Sequence, residues 1–112
     1  MTHTEIMDML AEAGIPYAYD HFAEGEAPSP PFMCFLYPAS HNFSADGVVY
    51  ARIDEAHVEL YTDAKSPPIE NLLEAVLTRH GIFFDKTEVW IESELLYEVL
   101  YSFDVEVSSY EQ

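Results

Sequence analysis

Positive charge is nearly missing from this sequence. Only Arg52, Lys65, Arg79 and Lys86 carry it, against 21 Asp and Glu, for a formal net charge of −17. Phosphate recognition runs on clustered Lys and Arg, so this balance excludes an ordinary nucleic-acid-binding protein. Such a field repels DNA or imitates it. Cysteine is reduced to Cys34 alone. No intramolecular disulfide can form, and a cytosolic folding environment fits. No apolar run approaches the ~20 residues of a membrane-spanning helix. The opening Met-Thr-His-Thr-Glu lacks the basic and apolar regions of a signal peptide, so no membrane partner is expected. Also absent are an HExxH pair, a cysteine pair and a glycine-rich loop followed by Lys and Ser or Thr. Five histidines are scattered at 3, 21, 41, 57 and 80. These gaps lead us to expect no metal and no cofactor.

What the chain has is apolar and aromatic weight. Hydrophobic residues make up 49%, with 8 Tyr and 7 Phe, enough for one real core. At 112 residues the expectation is a single domain over 1–112. The densest stretch is Pro31-Phe-Met-Cys-Phe-Leu-Tyr-Pro38, six apolar or aromatic residues between prolines. That length suits a strand covered on both faces, and we expect it at the centre of a sheet, with Cys34 as a small buried hydrophobe.

The remaining elements follow from periodicity. Ile6, Met9, Leu10 and Ala13 share one helical face, predicting a helix over 2–13. Thr2 and Glu5 have capping-box spacing, and Gly14 and Pro16 stop the helix. Residues 17–22 read as a short strand. The connection Ala23 to Pro31 is long, stiff and acidic, suited to a surface loop or to an arm reaching a neighbouring subunit. Residues 39–47 read as a polar loop ending in the turn signal Asp46-Gly47, with Phe43 tucked onto the core or serving as an interface anchor. Residues 48–62 read as one long strand. Its apolar phase flips between Asp54 and Ala56, which predicts a β-bulge there.

Ser66 and Pro67 open a second helix over 67–80. Its stripe is Ile69, Leu72, Leu73, Val76, Leu77 and His80, with Gly81 at its end and His80 read as a capping residue. Residues 82–91 and 95–107 form two final strands turned by Glu92-Ser93-Glu94. The even phase of Trp90 sets it with Glu88 and Glu92, opposite Val89 and Ile91, which marks it as a subunit contact. The fold class is therefore α+β, in the order α-β-β-β-α-β-β, with both helices on one face of a mainly antiparallel sheet. The other face carries Tyr, His and acidic residues.

Catalytic patterns are sparse. Asp63-Ala64-Lys65, with Asp54 or Glu59 upstream, has the layout of a Mg²⁺-dependent nuclease. It also reads as a polar turn before a helix cap, and the acidic field would repel that substrate. A DNA mimic that inhibits a nucleic-acid-binding protein is the other reading of the acidic balance.

Several stretches carry a resemblance. They are Tyr19-Asp-His-Phe-Ala-Glu-Gly-Glu, the proline run into Pro31-Phe-Met-Cys-Phe-Leu-Tyr, Ala45-Asp-Gly-Val-Val-Tyr, His57-Val-Glu-Leu-Tyr-Thr-Asp and Trp90-Ile-Glu-Ser-Glu-Leu-Leu-Tyr-Glu. With the order of elements, they resemble the tail-completion or tail-terminator proteins of long-tailed bacteriophages and prophages. The resemblance implies a structural, non-enzymatic protein, with no catalytic, cofactor or metal residues. It implies a hexameric ring of self-copies, partnered by the major tail tube protein and a head-neck connector, with DNA passing through unbound. It implies assembly in the host cytoplasm and residence in the virion tail. The subunit interface would draw on Phe43, Trp90, Glu24, Glu26, Pro28 and Pro30.

Overall fold

The computed structural model describes residues 1–45 and 48–106, and the side chains of all of these except 43–45 and 48–51. The Asp46-Gly47 turn, Val107 and the Phe43 side chain lie outside that description. The elements are α1 (His3–Ala11), β1 (Tyr17–Tyr19), β2 (Phe32–Ser40), β3 (Phe43–Ala45), β4 (Val48–Ala51), β5 (Ile53–Thr62), α2 (Pro67–Arg79), β6 (Asp85–Ile91) and β7 (Leu96–Glu106). A five-stranded sheet runs β1-β2-β5-β7-β6, with β1 parallel to β2 and every other pair antiparallel. β3 and β4 form a separate two-stranded sheet. The α+β class with a mainly antiparallel sheet follows.

The capping box of α1 is formed. The Thr2 hydroxyl accepts from the Glu5 N–H at 3.1 Å, and the Glu5 carboxylate accepts from the Thr2 N–H at 2.9 Å. Gly14, at φ +73°, takes the left-handed conformation that ends the helix. Ile6, Met9 and Leu10 of α1 meet Leu73, Val76 and Leu77 of α2 over Met33 and Phe35 of β2, Val58 and Leu60 of β5, and Val99 and Tyr101 of β7. Both helices therefore cover one face of the sheet, and the core lies between. The strict alternation of β7 survives: Val99, Tyr101, Phe103 and Val105 are buried.

Five expectations need correction. The Pro31–Pro38 stretch lies in β2, second from the edge. β5 is the central strand, third of five in the order β1-β2-β5-β7-β6. Pro38 does not end β2, because the register shifts between Leu36 and Ala39 and the strand resumes to Ser40. A shift there accommodates a residue with no N–H to give the ladder. No bulge interrupts β5 at Asp54 to Ala56, because the pairing with β7 is continuous from Ile53 to Thr62. The apolar phase flips because the chain leaves one sheet for another at Arg52. Residues 39–47 contain strand as well as loop, since β2 runs to Ser40 and β3 begins at Phe43.

The last correction concerns α2. Leu72 is 51% exposed, whereas Glu70 is only 2% exposed. The buried stripe is Glu70, Leu73 and Leu77 with Val76, rotated by about one residue from the apolar stripe of the sequence. His80 does occupy the C-cap of α2.

Candidate functional site

Strand pairing decides which side chains share the face of the sheet away from the helices. Cys34, Glu59 and Leu100 align across β2, β5 and β7, as do Leu36, His57 and Ser102. One pair further along β5, Glu55 stands opposite Asp104. The mix of Tyr, His and acid expected for this face is observed.

One end of this face is covered. Phe22 sets its ring edge-on to Phe32 at 5.6 Å, and Phe32 stacks on Tyr61 at 5.2 Å. Burial first, then the charges of Glu59 and Asp20, push the Cys34 thiol up. Burial and the nearby Glu98 likewise raise the Glu59 carboxyl above the ordinary carboxylate range. Cys34 is therefore a buried, packed side chain, as its surroundings in the sequence suggest.

The other end is a charged cluster. Carboxylates directly opposite each other on adjacent strands repel, so Glu55 and Asp104 need compensation. Two imidazoles supply it. His41 Nε2 lies 3.0 Å from Glu55 Oε1, and His57 Nε2 lies 2.6 Å from Glu55 Oε2. The bonds from His41 and His57 pull the Glu55 carboxyl down. The bond to Glu55 holds the His41 imidazole above its usual value. The cluster opens onto a cleft of about 620 Å³ that Asp85 and Ser102 also line.

A second network sits under the opposite face, at the β6 edge. Glu70 on α2 points inward and meets two ammonium groups, Lys65 at 2.8 Å and Lys86 at 2.7 Å. Lys65 also pairs with Glu88, and Lys86 with Glu74 at 2.8 Å. The Tyr101 hydroxyl donates to Glu74 at 2.7 Å. Half of the four basic residues are therefore spent in one knot. Arg79 is also used, since it joins His80 on Glu12 at 2.7 and 2.8 Å and ties the ends of α1 and α2 together.

The nuclease layout is not assembled. Lys65 is turned to Glu70 and Glu88. Glu59 sits on the far face, and Asp54 lies eight residues from Thr62 along β5, roughly 27 Å away. The proposed interface residues are dispersed. Trp90 pairs with Tyr97, which places it on the helix side of the β6 edge, where it stays 42% exposed and donates its indole N–H to Glu92. Glu24 and Glu26 are exposed, and Pro28 and Pro30 are half-buried in the connection before β2. Phe83, 89% exposed at the charged cleft, and Val89, 53% exposed on the face of β6 opposite Trp90, add apolar surface that the sequence reading passed over. The knot on Glu70 was also missed. Its only sequence signal is a glutamate at i, i+3 and i+7 with Leu73 and Leu77.

No family model matches the chain, and no curated protein matches it. The fold is similar to that of a chain in a solved structure described as the virion of a native gene transfer agent (GTA) particle. The TM-score is 0.63 at 13% identity, over 88% of this chain and 83% of that one. At that identity the likeness is one of fold.

Proposed function

We propose that this chain is a structural protein of a phage-like particle, a tail terminator that forms a ring on the head-proximal end of the tail tube. The observation that carries the reading is the fold likeness to a virion chain over most of both lengths. The resemblance of layout to tail-completion proteins points the same way. The sheet supports it physically. Its two edges differ: a three-residue β1 at one side and a seven-residue β6 at the other. Contacts between unlike surfaces are head-to-tail, the kind that generates a ring when the rotation between neighbours closes. Exposed apolar side chains along the β6 edge, Trp90 on one face, Val89 on the other and Phe83 just before the strand, would supply adhesion. Six copies at −17 each would carry −102 charges, and an acidic bore lets DNA pass without sticking. The role is geometric, with no catalysis.

The test is light scattering and negative-stain imaging of the purified chain with and without its cognate tail tube protein. The expected outcome is a ring, alone or at tube ends, and arrested tube growth. A chain that stays monomeric with tube protein present, while tubes lengthen unchecked, would overturn the reading.

A further inference from the structure

We infer that His41, Glu55 and Asp104 form a binding site for a divalent transition-metal ion of the Zn²⁺ type. This goes beyond the structural role above and does not depend on it. It also departs from the expectation drawn from the scattered histidines. That expectation rested on spacing along the chain, whereas the fold gathers three donors from three segments. One imidazole nitrogen and one oxygen from each carboxylate lie within 4.8 Å of one another. Such a mixed N and O set suits Zn²⁺, Co²⁺ or Ni²⁺ better than Mg²⁺ or Ca²⁺, which favour all-oxygen sites.

Backbone geometry holds the donors in place. Glu55 and Asp104 are direct cross-strand partners on β5 and β7. His41 is fixed by its own N–H, which donates to the Ile53 carbonyl at 2.7 Å. His57 binds the second oxygen of Glu55 at 2.6 Å, the kind of outer partner that orients a ligating group. Metal–ligand bonds of ~2.0–2.2 Å bring tetrahedral donors to roughly 3.5 Å from one another, so closure needs about 1 Å of side-chain rotation. His41 and Glu55 have that freedom, at 53% and 31% side-chain exposure. The open cleft admits the ion and leaves room for water at its remaining positions. The other acid clusters differ. Glu70 and Glu12 are already filled by Lys or Arg, whereas Glu55 here pairs with two imidazoles, His41 and His57. A bound ion would join the end of β2 to the β5–β7 pair at the point where the β3–β4 excursion departs.

The experiment is calorimetric titration of the folded full-length chain with ZnCl₂, with histidine ring signals followed by NMR. The expected result is one saturable site, with the His41 ring signals perturbed. His41→Ala and Asp104→Asn should each weaken binding about tenfold or more. His21→Ala, which removes a histidine–carboxylate pair elsewhere, should leave binding unchanged. Circular dichroism checks that each variant is folded, and His41→Gln replaces His41→Ala if that one is not. Three results would each overturn the inference: no saturable binding, undiminished binding in both variants, or equal displacement by Mg²⁺, the mark of diffuse attraction to an acidic surface.

Discussion

Glu70 is the residue on which local stability turns. Burial alone would raise its pKa, yet the Lys65 and Lys86 ammonium groups outweigh that and hold the carboxyl below its ordinary value of 4.5. Both lysines are partly exposed, at 40% and 33%, so they can be rehydrated if their partner is lost. Breaking a buried pair costs ~3–5 kcal/mol, and this exposure argues for the lower side. We expect Glu70→Gln to destabilise the fold by about 2 kcal/mol at pH 7, read by urea denaturation. The pH dependence has a definite sign. A carboxyl lowered in the folded state stabilises above its unfolded pKa, and the benefit fades as pH falls through the folded value. The gap between wild type and Glu70→Gln should therefore begin to close as pH falls through 4.5 and go on closing below it. A gap that widens on acidification would contradict the ion-pair account.

At the scale of elements, the two helices offer a controlled comparison. Both begin at a hydroxyl residue, Thr2 and Ser66, but only Thr2 makes a side-chain capping bond. Thr2→Ala should cost about 1 kcal/mol, and Ser66→Ala close to nothing, in parallel thermal melts. Equal losses would show that the cap bonds are not what separates the two ends. The same pair shows how far local pattern can be read. The helices, β7 and the turn at Glu92 to Glu94 were legible because each is written in one continuous stretch. The position of β2 in the sheet was not, since hydrophobic density does not encode how many neighbours a strand has. The inward turn of Glu70 was hidden because its partners, Lys65 and Lys86, lie on different elements. The His41, Glu55 and Asp104 cluster was illegible for the same reason. Its members are separated by 14 and 49 residues and meet only through strand register.

For the whole molecule, the dominant quantity is a net charge of −17 with four basic residues to offset it. Lys65, Arg79 and Lys86 are committed to ion pairs. Added salt weakens those few attractions and screens far more numerous repulsions. The melting temperature should therefore rise between 20 and 200 mM NaCl, read by differential scanning calorimetry at pH 7. A fall would mean that the ion pairs outweigh the field. Finally, the chain between Asn42 and Ile53 leaves and re-enters the main sheet at one point. The Ile53 carbonyl accepts from His41 at 2.7 Å, and the Ile53 N–H donates to the Asn42 side chain at 3.2 Å. The sheet is thus sealed beneath a side branch. Changes in the length of that branch should therefore leave the β2–β5 register as it is.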